Sequence, residues 1–231
     1  MTGMTNWRTI GIIGGMGPAA TIDFASRLLA ASGATSDAGH PHLLIDCNPS
    51  VPDRNAARAG LGPSPGPALA AMARGLAAQG AELLAMPCNA AHGWSGDIIA
   101  ATDVPFISLI DAAVAAALAA RPARVGLLAV GATLDARLYH DRLAAVGVAA
   151  IDCDRAVVQP LVTAIKGGDT GPAIRAAMAA EAARLVAAGA EVIIAACTEV
   201  PLVLAADAVT VPYVDATAAL VAAVLAAARR A

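Results

Sequence analysis

The chain has 231 residues, 58% of them hydrophobic and 14% charged, with a formal net charge of −3. That length supports a substantial buried core in one large domain or two small ones, and the composition excludes a disordered chain. Acidic and basic residues are spread along it, so no charged patch points to nucleic acid or to a membrane surface.

The first apolar run, Ile10-Gly11-Ile12-Ile13, follows Arg8, as the core of a signal peptide would. Gly14-Gly15-Met16-Gly17-Pro18 breaks it at once, and a similar run recurs mid-chain, so a first strand followed by a tight turn is expected instead. The turn lacks the lysine-serine/threonine end of a phosphate loop and the full dinucleotide spacing, and is expected to line a cleft. A second strand ends at Ile45-Asp46-Cys47. Segment 60–67 is a Gly/Pro loop, either a surface connection or a mobile lid. A helix is predicted over 67–79, opened by Pro67 and stopped before Gly80. A third strand follows within 80–88, ending at Cys88, and a fourth at Val104-Pro105-Phe106.

The second half then repeats the first. Val125-Gly126-Leu127-Leu128 lies 115 positions after the first run, and Ile151-Asp152-Cys153 lies 106 after the second. Segment 189–197 follows 80–88 by 109 positions, and both end in cysteine. Val211-Pro212-Tyr213 follows the fourth run by 107. A helix over 181–188 stops before Gly189 as the earlier one stops before Gly80. The last apolar run, 216–228, has 13 residues, against roughly 20 needed to cross a bilayer, and reads as a packed C-terminal helix free to cross back onto the first half. Short Ile/Val/Leu runs alternating with Ala-rich helical segments predict an α/β fold with mainly parallel sheets flanked by helices. Two pseudo-symmetric lobes are expected, 1–115 and 116–231, with a cleft between them.

Four cysteines in a chain this long do not make a disulfide framework, and none stands at CxxC spacing, so free thiols in a reducing cytoplasm are expected. Ligands of parallel sheets bind beyond the carboxyl ends of strands, where Cys88 and Cys197 sit. Two facing thiols suit a reaction in which one group removes a proton from one face of a carbon and the other delivers a proton to the opposite face. The segments after both cysteines read as helix starts, with Asn89 and Thr198 as caps and Pro201 at an early position, an arrangement that lowers a thiol pKa. Cys47 and Cys153, within or beside strands, are expected to be inert small hydrophobes. A zinc site using Cys88, His92 and Cys197 lacks a fourth ligand, and no metal is expected. His92 is expected to support the helix start or orient its neighbours, and Glu199 to sit at a helix start or bind a substrate amine.

Three motifs together resemble the aspartate/glutamate racemase family: Gly14-Gly15-Met16-Gly17-Pro18-Ala19-Ala20-Thr21, Pro87-Cys88-Asn89-Ala90-Ala91-His92, and Ala196-Cys197-Thr198-Glu199. The first, with Val51-Pro52-Asp53-Arg54, favours the aspartate racemase branch. The resemblance implies a cofactor-independent enzyme that is commonly a homodimer, with Cys88 and Cys197 as its catalytic pair. It further implies that Asn89 and Thr198 bind the substrate α-carboxylate, that Arg54 and Lys166 reach the side-chain carboxylate, that Met16 lines the cleft, and that Thr133 lies near the start of the second lobe's site. Lys166 is the only lysine beside 14 arginines. The chain departs from the family pattern where Ala90 and Val130 replace threonines, and Ala132, Ala136 and Arg137 replace small or polar residues. Each lost hydroxyl removes a hydrogen bond worth roughly 0.5–1.5 kcal/mol, which leaves aspartate the preferred substrate of a racemase, with glutamate or a broader set of amino acids as the alternative. Other readings of the same residues are a decarboxylase or isomerase of this fold, a pyridoxal phosphate racemase using Lys166, a ligand-binding module, and a thiol switch pairing Cys88 with Cys197.

Overall fold

The computed structural model describes residues 7–230. Strand β1 (Ile10–Gly14) leads into helix α1 (Pro18–Ala31), then β2 (Leu43–Cys47), α2 (Arg54–Arg58), α3 (Gly66–Ala78), β3 (Leu83–Ala85), α4 (Ser95–Ala101), β4 (Phe106–Ile107) and α5 (Leu109–Leu118). The second half runs β5 (Arg124–Leu128), α6 (Gly131–Asp135), α7 (His140–Ala144), β6 (Ala149–Asp152), α8 (Arg155–Lys166), α9 (Pro172–Ala187), β7 (Val192–Ala195), β8 (Tyr213–Asp215) and α10 (Ala216–Ala228). Two four-stranded sheets result, ordered β2-β1-β3-β4 and β6-β5-β7-β8. Every strand pair in both is parallel.

This is the α/β fold with parallel sheets that the alternating apolar runs predict, and the repeat extends into the packing. Gly11 on β1 faces Leu84, Ala81 and Leu76, where a Cβ would come within 2.7, 2.9 and 3.3 Å. Gly126 on β5 faces Ile193, Ala190 and Leu185 at 2.6, 3.0 and 3.2 Å, the counterparts one repeat later. A side chain at either glycine would push the helix before the central strand off the sheet. The Glu82 carboxylate accepts the Thr9 N–H, and that of Glu191 accepts the Ala123 N–H, so each sheet begins with the same side-chain bond. The central strands β1, β3 and β7 are buried throughout, which explains why they read as continuous apolar runs.

The helices cross between the halves. Helix α10 packs against α1 and α5 and over β3 and β4, while α5 packs against β7 and β8. Arg230 donates to both carboxylate oxygens of Glu82 at 2.7 Å, tying the end of the chain to the first sheet. Position 115 lies inside α5. Of segment 60–67, residues 60–64 are exposed, with Leu61 at 84%, Pro65 and Gly66 are buried, and α3 already begins at Gly66; the segment lines none of the cavities described below. Among the described residues, no helix is long and apolar enough to cross a membrane.

Candidate active site

The chain leaves β3 and β7 into matching short segments that carry Cys88 and Cys197. Both thiols line one cavity, with Met16, Arg54, Asn55, Asn89 and Ala90 from the first half and Val130, Lys166, Thr198 and Glu199 from the second. The cavity is tight, at about 10 Å³, and a wider space of about 410 Å³ adjoins it, sharing Arg54, Lys166 and Glu199. The glycine-rich turn supplies Met16. Gly15 has φ +94°, and a Cβ there would meet the Asn48 carbonyl carbon at 2.3 Å, so only glycine fits. The Thr21 hydroxyl accepts the Gly15 N–H at 2.9 Å and donates to the Gly17 carbonyl, which holds the turn.

Arg54 opens α2 beneath an Asp53 cap and is nearly buried, its Nη1 donating to the Val51 and Pro52 carbonyls at 3.3 and 3.1 Å. Lys166 ends α8 at the exposed surface, with Nζ 3.9 Å from Glu199 Oε1. Seven of the eight site residues expected from the sequence therefore meet in one cavity: Met16, Arg54, Cys88, Asn89, Lys166, Cys197 and Thr198. Thr133 stands apart. It lies buried in α6, its hydroxyl has no hydrogen-bond partner, and it is not among the residues that line the cavity. Ala90 and Val130 do line it, as apolar wall where hydroxyls were expected.

The expected helix starts after the cysteines are not formed. Only short 3-10 turns follow, Ala90–Trp94 and Val200–Leu202, and neither Asn89 nor Thr198 caps them. Both side chains are engaged at the cavity instead. Tyr139 Oη donates to Asn89 Oδ1, and Thr198 Oγ1 donates to Glu199 Oε2 at 3.3 Å. For Cys197 the electrostatic expectation reverses. Burial, and then the adjacent Glu199 carboxylate, push its thiol well above the ordinary range, with Lys166 opposing. The thiol donates to Glu199 Oε2 at 3.0 Å. Glu199 stands at the start of the Val200–Leu202 turn, as expected, but makes no side-chain cap bond there and faces the cavity as a buried carboxylate whose Oε1 accepts no hydrogen bond.

His92 orients the first cysteine segment. Its Nε2 accepts the Leu109 N–H at 3.0 Å, so the proton sits on Nδ1, which donates to the Cys88 carbonyl at 2.8 Å. Burial lowers its pKa to about 4 and keeps the ring neutral. Both ring nitrogens are committed, which removes His92 as a zinc ligand, and the described residues hold no group of three His, Cys, Asp or Glu suited to a metal. Cys153 is buried against the Ala129 backbone, and burial raises its pKa to about 11, in keeping with an inert thiol. Cys47 differs from the expected buried hydrophobe. It ends an edge strand and is exposed.

Asn55 and Tyr139 escaped the sequence reading. Asn55 Oδ1 accepts the Ala132 N–H at 2.9 Å, and Arg58 Nη2 donates to the Asp135 carbonyl at 3.0 Å, so α2 of the first half docks on α6 of the second. Tyr139 is fully buried between the halves, and burial and then the charge of Cys197 hold its phenol un-ionised. Its one sequence signal is scarcity, as one of two tyrosines in a chain with 3% aromatic residues.

Comparison with known proteins agrees with this geometry. The structure of Picrophilus torridus aspartate racemase superposes with a TM-score of 0.87 at 26% identity, covering 97% of this chain and 96% of that one. The chain is 28% identical over 223 residues to the broad specificity amino-acid racemase RacX of Bacillus subtilis (strain 168), covering 91% of this chain and 94% of RacX. It is 38% identical over 133 residues to an uncharacterized protein of Pectobacterium carotovorum subsp. carotovorum, 55% of this chain and 88% of that one. The Asp/Glu/Hydantoin racemase family matches residues 13–224, nearly the whole chain. This protein therefore belongs to the Asp/Glu/Hydantoin racemase family and is an amino-acid racemase.

Proposed function

We propose that the protein interconverts the enantiomers of aspartate without a cofactor, carrying the α-proton between Cys88 and Cys197. The observation that supports this most is the single cavity lined by both thiols, each beyond the carboxyl end of the equivalent strand in its own sheet.

In one direction the Cys88 thiolate takes the α-proton. An S–H bond forms as the C–H bond breaks, and the electron pair spreads into the α-carboxylate. The Cys197 thiol then delivers its proton to the opposite face and is left as thiolate. Burial and Glu199 favour the neutral form of Cys197, which suits it to be the resting acid. In the reverse direction the two exchange roles. Asn89 stabilises the α-carboxylate, which gains charge in the transition state, through its unpartnered Nδ2, and the Thr198 hydroxyl joins it by turning from Glu199 Oε2. Glu199 Oε1, buried, with no hydrogen-bond partner and 3.9 Å from Lys166 Nζ, receives the substrate ammonium. Arg54 and Lys166 hold the side-chain carboxylate, and Thr133 supports the second-lobe wall from behind.

A second reading widens the substrate. Ala90 and Val130 leave apolar wall in the cavity, and the similarity to RacX points the same way, towards several amino acids. The working assembly in this proposal is a cytoplasmic homodimer with lobes 1–115 and 116–231, since reducing conditions keep both thiols free.

Incubation of the enzyme with L-aspartate in heavy water tests the proposal. D-aspartate carrying α-deuterium is expected, and Cys88→Ala or Cys197→Ala is expected to remove at least a thousandfold of the rate. Full activity in either variant rules out the two-thiol mechanism. Inertness towards aspartate, with turnover of other amino acids, selects the second reading.

A further inference from the structure

The Asn89 side chain is nearly buried beside Cys88, at 2% exposure, and its two amide atoms have opposite fates. Oδ1 accepts the Tyr139 hydroxyl, whereas Nδ2 is buried and has no partner. A primary amide is planar, so fixing the oxygen fixes the direction of both N–H bonds. Left to itself, a buried asparagine flips between two states that differ in which atom faces the cavity. Here the flip is decided from the other lobe. Tyr139 precedes α7 in the second half, and Asn89 follows Cys88 in the first.

We infer that Tyr139 is a positioning residue that locks Asn89 with both Nδ2 donors aimed at the substrate α-carboxylate and holds this arrangement across the lobe boundary. Three observations converge on it. Nδ2 is an unsatisfied buried donor at the wall of a cavity that lies between the thiols, and such a donor costs stability unless a ligand accepts from it. Tyr139 is fully buried and keeps its phenol proton, and Asn89 Oδ1 is the acceptor that proton finds, so the bond selects the amide oxygen rather than the nitrogen. A phenylalanine of the same shape would fill the core equally well, so the hydroxyl is required only for what it bonds. The inference rests on the proposed aspartate racemisation.

The test uses Tyr139→Phe with two competitive inhibitors. Succinate keeps both carboxylates of aspartate, and β-alanine keeps the amine and side-chain carboxylate but lacks the α-carboxylate. Loss of the lock is expected to lower kcat/KM about tenfold and weaken succinate about tenfold, while β-alanine changes less than twofold and the thermal midpoint stays near wild type. In the Asn89→Ala background, Tyr139→Phe is expected to add nothing further. Equal weakening of both inhibitors, wild-type kinetics, or additive effects in the double variant would overturn the inference while leaving racemisation standing. Absence of α-proton exchange with aspartate in the wild type would overturn both. Should Tyr139→Phe fail to fold, Asn89→Asp keeps the acceptor for the phenol and removes the donors. Selective loss of succinate binding is then expected, and unchanged succinate binding overturns the inference.

Discussion

Glu199 acts on one of the two thiols that line the cavity. It accepts a hydrogen bond from Cys197 at 3.0 Å, and its charge stands second to burial among the causes that raise that thiol. Glu199→Gln removes the charge and keeps the shape. The sign follows directly. Less negative potential favours the thiolate, so the Cys197 pKa falls, and Lys166 pulls it further without a competing carboxylate. The limb of the pH–rate profile that requires Cys197 as acid is expected to move to lower pH by about one unit or more, and thiolate absorbance is expected to appear at correspondingly lower pH. An unmoved profile would show that Glu199 does not control this thiol. Its place beside Cys197 is visible in the sequence, but its role is not. The same residue caps a helix or faces a cavity according to whether a helix follows, and here a short 3-10 turn does.

At the scale of elements, His92 links the segment after β3 to the first turn of α5 by bonding the Cys88 carbonyl and the Leu109 N–H. Its folded pKa of about 4 lies below the ordinary histidine value of 6.5, so the unfolded chain takes up the proton first. The stabilisation from the neutral ring is complete above pH 6.5, is lost as pH falls towards 4, and changes no further below that. The full span is on the order of 3 kcal/mol. His92→Gln is expected to be less stable at neutral pH, by about 1–3 kcal/mol for the weakened buried hydrogen bonds. Its unfolding free energy is expected to depend less on pH between 6.5 and 4 than that of the wild type. Parallel denaturation curves across that window would refute the assignment. The strands were legible because each central run is buried on both faces, and the repeat was legible because Gly11 and Gly126 meet the same helix-and-strand packing. The turns after the cysteines were not. Cap residues and Pro201 fit the opening of an α-helix and of a 3-10 turn alike, and the outcome was settled by bonds from Tyr139 and Glu199, residues 50 and 2 positions from those they hold.

For the whole molecule, the space between the thiols holds about 10 Å³, enough for one water molecule and far too small for an amino acid. On the proposed function, an amino acid seated between the thiols is expected to part the halves, and the bonds that cross between them are expected to set how readily they do. The α2–α6 contact is the accessible part of that boundary. Arg58 donates to the Asp135 carbonyl there, at the surface, and does not line the cavity, so its removal reports closure without touching substrate. Arg58→Ala removes one exposed hydrogen bond, worth about 0.5 kcal/mol, and Asn55→Ala leaves the Ala132 N–H unpaired, worth about 1 kcal/mol or more. Both favour the open state. A ligand that binds the closed state pays this shift in its apparent affinity, so KM is expected to rise about twofold for Arg58→Ala and about fivefold or more for Asn55→Ala. Product leaves through the same opening, so kcat is expected to hold or rise where release limits turnover and to hold where chemistry does. Steady-state kinetics with an added viscogen separate these cases, because a release-limited kcat falls with viscosity and a loosened variant loses that dependence. A fall in kcat for Arg58→Ala at unchanged KM would mean that this contact serves the geometry of the thiols rather than the opening between the lobes.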